Sequence, residues 1–154
     1  MDKESPTNPP PPTKLEKGLV QIFTGDGKGK TTAALGVVLR ALGHGLRVCI
    51  VAFMKGDHPY GEWKALAKMP GVRIARFGLS TFTDPNNVKP EEIEQAKQAL
   101  NTAREAISSG DYDLVVLDEV NIAVAWKLVD RDEVVSLIEN KPPRRGAYPY
   151  RPPG

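Results

Sequence analysis

The stretch that decides the fold is Thr24-Gly25-Asp26-Gly27-Lys28-Gly29-Lys30-Thr31-Thr32. Its end matches the phosphate-binding pattern G-x-x-x-x-G-K-S/T, although Thr24 stands where the pattern has its first glycine. Glycines let a backbone adopt left-handed turns and bring its N–H groups up to phosphate oxygens. The stretch therefore predicts a phosphate-binding loop (P-loop), and the alternative is a glycine-rich turn with incidental lysines.

The side chains of this P-loop suit MgATP. Lys30 supplies a cation for the phosphates, and the helix that begins near it adds the positive end of its dipole. Thr31 offers a hydroxyl to Mg²⁺. Asp26 is a carboxylate near the expected phosphates, so it must point away from them, face Mg²⁺ or face solvent.

Apolar runs alternate with helix-forming segments on both sides of the P-loop. The runs at 19–23, 47–53, 72–77 and 114–117 read as strands, the third of them nearer an edge of the sheet. The segments at 30–42, 62–68, 90–109 and 131–140 read as helices, with Pro90 in a first turn and Asp130 as a cap. This alternation predicts an α/β fold: a P-loop NTPase-like parallel sheet with helices on both faces.

The composition predicts one domain between two tails. Residues 1–17 are Pro-rich and expected to be disordered, residues 18–141 form the folded domain, and residues 142–154 are an irregular Pro- and Arg-rich tail. The formal net charge of +2 is too mild to indicate a nucleic-acid partner. No apolar run is long enough to span a membrane, and the N-terminus has no apolar signal core, so we expect a cytoplasmic protein. The single cysteine, Cys49, is expected to be a buried strand residue.

Two carboxylates, Asp118 and Glu119, follow the apolar run at 114–117. Charged groups at the end of a buried strand are costly unless they have a role. In P-loop folds this place faces the Mg²⁺ site, so both residues are candidate metal ligands. Glu119 could hold Mg²⁺ directly or polarise a water, and the alternative for the pair is a cap after the strand.

Several motifs, in order along the chain, resemble the ATP:corrinoid adenosyltransferases, the family that makes the adenosyl form of cobalamin and its precursors. The resemblance begins with the P-loop, continued by Ala33-Ala34, and covers about residues 17–142. It includes the helix at 133–142 and the stretches Arg40-Ala41-Leu42-Gly43-His44-Gly45, Phe53-Met54-Lys55-Gly56, Gly61-Glu62 and Val115-Val116-Leu117-Asp118-Glu119.

The resemblance implies a reaction and a set of site residues. The Co(I) of a reduced corrinoid would attack the 5′ carbon of the ATP ribose, and triphosphate would leave. Lys30 and Glu119 are the implied catalytic residues. Mg²⁺ is implied to bind Thr31 and Glu119, with Asp118 as a further candidate. The expected ATP-binding residues are Gly25, Asp26, Gly27, Lys28, Gly29, Lys30, Thr31 and Thr32.

The loop at 78–89 is implied to cover the corrinoid. In the family an aromatic pair flanking a threonine packs on the macrocycle, and Phe82-Thr83-Asp84 keeps only the first aromatic. Phe82 is therefore the predicted corrinoid contact, with ordinary loop packing as the alternative. Trp63 and Trp126 are expected on helices, in the core or at an interface.

The family pattern continues past Pro142 into another strand that ends in Thr-Gly-Arg, and residues 142–154 do not show it. Back-translated and read one base later, the codons of residues 147–152 permit Leu-Ile-Leu-Thr-Gly-Arg, which suggests a frameshift. We therefore expect a sheet that lacks its C-terminal strand, low stability and association into a homodimer.

Three functions remain open from the sequence. The first is adenosyl transfer to a corrinoid, with a reductase as a partner that generates Co(I). The second is a P-loop ATPase or kinase-like enzyme that releases phosphate or ADP. The third is a nucleotide- or corrinoid-binding remnant without turnover.

Overall fold

Strands and helices alternate along the chain from its first described strand onward. The computed structural model describes residues 19–22, 30–54, 56 and 61–140, so the predicted tails at 1–17 and 142–154 lie outside it. The elements are β1 (Leu19–Ile22), α1 (Lys30–Gly43), β2 (Val48–Ala52), α2 (Gly61–Ala67), β3 (Val72–Arg76), α3 (Pro90–Ser109), β4 (Leu114–Asp118), α4 (Val120–Ala125) and α5 (Arg131–Glu139). Of these, α4 is the element for which the sequence patterns give no bounds.

The four strands form one parallel sheet in the order β1-β4-β2-β3. The predicted α/β, P-loop NTPase-like fold class is confirmed, and β3 lies at an edge as its mixed pattern indicates. In the pairing register, Ala52 of β2 lies between Asp118 of β4 and Arg76 of β3. The carboxyl ends of all four strands therefore meet at one edge of the sheet.

Helices cover both faces of the sheet. Val48, Ile50 and Ala52 of β2 face a cluster built with α1 and α2. Cys49 and Val51 face a second cluster built with α3, α4 and α5. All five residues of β2 are buried, which explains why its sequence is a continuous apolar run instead of an alternating one. Each buried valine or isoleucine contributes about 1.5–3 kcal/mol to the free energy of folding.

Helix ends follow the expected signals. α1 stops at Gly43, and the turn after it is closed by the Leu46 amide donating to the Ala41 carbonyl at 3.0 Å. At the start of α5, the Asp130 carboxylate accepts from the Asp132 amide at 3.0 Å, so the predicted cap is confirmed. None of the helices in the described ranges combines the length and apolar character needed to cross a bilayer.

The two tryptophans contribute to the two sides of the core. Trp63 lies in α2 and is buried, as predicted. Trp126 is partly buried against the α3 cluster, but it lies one position beyond α4 and forms its C-terminal cap. The expectation of a helical Trp126 is thus off by one residue, and its expected place in the core is confirmed in part.

Asp113 ties the amino ends of three strands together. Its side chain is 1% exposed, and its carboxylate accepts from the Arg47 backbone amide at 2.8 Å. The Asp113 amide in turn donates to the Arg47 carbonyl, and the Leu19 amide donates to the Asp113 carbonyl, both at 2.8 Å. The Arg47 guanidinium lies 3.8 Å from the same carboxylate. Because strand spacing is regular, aligning β1, β2 and β4 at this edge also aligns their carboxyl ends.

Cys49 is fully buried, as predicted, and burial raises the pKa of its thiol from 9.0 to about 11, although Arg73 opposes the shift. Since the pKa of the thiol is higher in the folded chain than in the unfolded chain, the stability gained by keeping the thiol neutral is fully present below pH 9. We expect it to be lost as the pH rises towards 11, by up to about 3 kcal/mol in the free energy of unfolding. Urea unfolding at pH 8 and pH 10.5 measures this loss.

The matched variant for this prediction is Cys49→Ala, which has no thiol to ionise. Its stability should fall less between the two pH values than that of the wild-type chain. If the two chains lost stability in parallel, the titrating group would lie elsewhere.

Candidate functional site

The carboxyl edge of the sheet holds the described carboxylates of the predicted site and the strand end that precedes the predicted P-loop. β1 ends at Ile22, which pairs with Leu117 of β4, and α1 begins at Lys30. Residues 23–29 lie outside the described residues, between a strand end that is directly beside the end of β4 and a helix start. A strand followed by a helix at this spacing is the context that the P-loop motif requires.

Asp118 and Glu119 occupy the end of β4. Asp118 is its last residue, is half-buried, and lines a small cavity with Ala34, Val38 and Trp63 on the α1 face of the sheet. Its carbonyl accepts from the Phe53 amide at 3.0 Å, which extends the pairing with the β2 chain by one residue. The Asp118 carboxylate thus lies at the carboxyl edge, on the face covered by the helix that follows the P-loop.

Glu119 has a left-handed backbone, with φ 64° and ψ 14°. It is the N-terminal cap residue of α4, and its carbonyl accepts from the Ala123 amide at 3.1 Å. A left-handed conformation costs a non-glycine residue about 1–2 kcal/mol. Such strain concentrates at functional sites, where the surrounding structure holds it in place.

The neighbouring strand end carries a second left-handed residue. Met54, two positions after β2, has φ 62°, and Gly56 follows with φ 46°. The Gly56 amide donates to the Phe77 carbonyl at 3.3 Å. A Cβ atom at Gly56 would overlap the Leu79 carbonyl oxygen, so the turn after β2 lies directly against the chain leaving β3.

The segment 78–89, here called the aromatic loop, follows this contact and leads into α3. Phe82 lies near its middle and is 84% exposed. Asp84 closes a turn inside the loop: its side chain accepts from the Asn86 amide at 2.9 Å and its carbonyl from the Asn87 amide at 3.0 Å. Asp84 therefore organises the backbone of the aromatic loop.

The family model of ATP:corrinoid adenosyltransferase BtuR/CobO/CobP matches residues 16–146. The chain belongs to this adenosyltransferase family. It is 35% identical over 127 residues to the corrinoid adenosyltransferases of Escherichia coli K12 and Pseudomonas aeruginosa PAO1, covering 82% of this chain and 64% and 63% of theirs. The corrinoid adenosyltransferase CobA of Salmonella typhimurium is also 35% identical over 127 residues, covering 82% and 64%. The chain thus spans less than two thirds of the length of these relatives.

The predicted site residues of this adenosyltransferase family member fall into three groups. Asp118 and Glu119 lie at the carboxyl edge of the sheet. The backbone of Lys30, Thr31 and Thr32 forms the start of α1, where Thr32 is exposed. Phe82 belongs to the separate aromatic loop. The other predicted ATP-binding residues lie outside the described residues: Gly25, Asp26, Gly27, Lys28 and Gly29.

Sequence reasoning missed three residues that shape the surroundings of the site. In the sequence Gly56 is only the end of the stretch Phe53-Met54-Lys55-Gly56, whereas the structure shows why it is a glycine: its φ is positive and there is no space beside it for a Cβ atom. Glu92 and Gln95 of α3 hydrogen-bond to the two ends of the aromatic loop. The signal for Gly56 was its place after a strand, whereas nothing in the sequence distinguishes Gln95 from the exposed Gln98 one turn later.

Proposed function

We propose that this chain transfers the 5′-deoxyadenosyl group of ATP to the Co(I) of a reduced corrinoid and releases triphosphate. The observation that carries the proposal is the left-handed Glu119 that follows Asp118 at the end of β4. The pair stands beside the β1 end from which the predicted P-loop leaves. The family to which the chain belongs indicates the two substrates, ATP and a corrinoid.

The reaction asks little of protein acids and bases. The reduced cobalt supplies the electron pair of the new cobalt–carbon bond, and the C5′–O bond breaks with its pair leaving on triphosphate. The protein has to place the two reactants and to stabilise the charge of the leaving group. Lys28 and Lys30 would supply positive charge, and the glycines of the P-loop would supply backbone N–H groups.

The donor set at the carboxyl edge fits Mg²⁺. This ion prefers oxygen ligands and keeps several of its waters, so one or two carboxylates with substrate phosphates suffice. Within the described residues no three His, Cys, Asp or Glu side chains form a metal-binding group. Thr31, Glu119 and Asp118 would hold the ion, and when bound it would neutralise charge on the triphosphate.

Phe82 is the proposed corrinoid contact. An aromatic side chain that is 84% exposed offers an apolar face to a flat macrocycle. Because Co(I) must be generated by an electron donor, a reductase partner belongs to the same proposal. The predicted homodimer and low stability remain predictions.

The test is an oxygen-free reaction of the 154-residue chain with MgATP and a chemically reduced corrinoid. Absorbance follows the cobalt–carbon bond, and chromatography identifies the phosphate product. Lys30→Ala is the inactive control. Lys68→Ala is the matched control, because Lys68 is exposed and lies between α2 and β3, near the opposite edge of the sheet.

Adenosylcorrinoid and intact triphosphate, lost with Lys30→Ala and kept with Lys68→Ala, would support the proposal. Release of phosphate or ADP without a cobalt–carbon bond would favour the ATPase or kinase-like alternative. Binding of MgATP without any turnover would favour the remnant.

A further inference from the structure

Both ends of the aromatic loop are attached to the same face of α3. At its start, the Gly78 amide donates to the side-chain oxygen of Gln95 at 3.1 Å. At its end, Lys89 is the N-terminal cap residue of α3, and its amide donates to the carboxylate of Glu92 at 2.8 Å, which is the capping box of that helix. Glu92 and Gln95 are three residues apart, a spacing that places two side chains next to each other on a helix. We call these two residues the bracket.

Glu92 is buried and Gln95 is partly buried, so the bracket does not belong to a solvent-exposed face of the helix. Glu92 is 6% exposed, and burying a carboxylate is costly unless hydrogen bonds offset the loss of water. Both bracket side chains line a small cavity together with Met54, Leu79 and Thr83. The bracket therefore lies between the aromatic loop and the strained turn that follows β2.

The attached ends and the interior of the loop hold its tip. Phe82 lies near this tip and is 84% exposed. The Asp84 turn stiffens the loop internally, and the contact of Gly56 with Leu79 prevents it from moving towards β2. A loop with stiff interior geometry and two fixed ends holds its tip in one place.

We infer that Glu92 and Gln95 are positioning residues, which hold the aromatic loop so that Phe82 meets the corrinoid in a fixed orientation. This inference rests on the proposed function. The bracket acts on the corrinoid side of the reaction alone, since ATP is assigned to the P-loop at the β1 end. Weakening the bracket should therefore raise the KM for the corrinoid and leave the KM for ATP and kcat almost unchanged.

The test replaces Gln95 with leucine, which has similar size and no acceptor. Loss of one partly buried hydrogen bond should raise the corrinoid KM about ten-fold. Amide hydrogen exchange in peptides covering 78–89 should become faster, while exchange in β2 and β4 stays unchanged. Gln98→Leu is the matched control, because Gln98 is exposed on the same helix.

Each outcome tests a different part of the inference: the hold of the bracket on the loop, its effect on corrinoid binding, or the proposed function. Unchanged loop exchange in Gln95→Leu would overturn the bracket itself. Faster loop exchange with an unchanged corrinoid KM would overturn its positioning role, as would an equal rise in the KM for ATP. If the wild-type chain gave no adenosylated corrinoid, the proposed function and the role in corrinoid binding would both fail. Faster exchange in Gln95→Leu would then still support the bracket as the holder of the loop.

Discussion

A Glu119→Gln chain is expected to transfer adenosyl about 100-fold more slowly than the wild-type chain, with no change in unfolding temperature. Glutamine keeps the shape of the side chain, so the left-handed turn and the start of α4 remain. What disappears is the negative charge proposed to hold Mg²⁺ against the leaving triphosphate. The measurement is kcat at saturating MgATP and corrinoid, repeated over a range of Mg²⁺ concentrations.

A second substitution at the same position separates strain from function. Glu119→Gly relieves a backbone strain of about 1–2 kcal/mol, and the greater freedom of the unfolded chain offsets about 0.4–1 kcal/mol of it. We expect a stability equal to that of the wild-type chain or up to about 1.6 kcal/mol higher, together with loss of turnover. Lys127→Gly is the matched control, since Lys127 has φ 60° and is exposed. It should show the same change in stability and keep its activity.

A wild-type rate in Glu119→Gln would show that the charge has no part in the reaction. Glu119 would then be a cap residue between β4 and α4, which is the structural alternative raised by the sequence. A large loss of stability in Glu119→Gly would show that the side chain contributes to folding more than the strain costs.

Gly56→Ala is expected to lower the free energy of unfolding by about 2–5 kcal/mol. Residue 56 is buried at φ 46°, where any Cβ atom is strained. The added methyl group would overlap the Leu79 carbonyl oxygen and lie 2.9 Å from its carbonyl carbon. Because both neighbours are backbone, no side chain can rotate away to relieve the clash. Urea unfolding measures the change, and hydrogen exchange at 78–89 shows whether the aromatic loop has moved.

The control for this prediction is Gly36→Ala on α1. Gly36 is exposed in a helix and has nothing within 4 Å of an added Cβ atom. Alanine there should stabilise the chain by about 0.5–1 kcal/mol, which is the difference in helix propensity. A change below about 0.5 kcal/mol in Gly56→Ala, typical of an open surface site, would contradict the close contact between the two turns.

The sequence predicts the sheet and its helices because the apolar runs and the cap residues are local signals. Pro90 and Asp130 mark helix starts at the positions where the structure has them. The order of the strands is not local, since β4 enters the sheet between β1 and β2. No single residue pattern states which of its neighbours a strand will pair with.

The residues of the candidate site also divide into those that local sequence signals predict and those that they do not. Asp118 and Glu119 could be predicted because carboxylates after an apolar strand are unusual. The left-handed backbone of Met54 and Glu119 could not, since side chains of these types normally avoid it. Gln95 escapes prediction because its partner, the Gly78 amide, is 17 positions away and is placed by tertiary structure. The bond of Glu92 to the Lys89 amide, by contrast, is the local capping box of α3.

The link between Arg47 and Asp113 also has a consequence for how the protein is made. These residues are 66 positions apart, yet their hydrogen bonds close the middle of the sheet. During synthesis, β1, β2 and β3 leave the ribosome before the strand that separates β1 from β2 exists. The centre of the sheet can therefore close only after β4 has been made, and we expect this closure between distant segments to be the slow step of folding and the one exposed to aggregation.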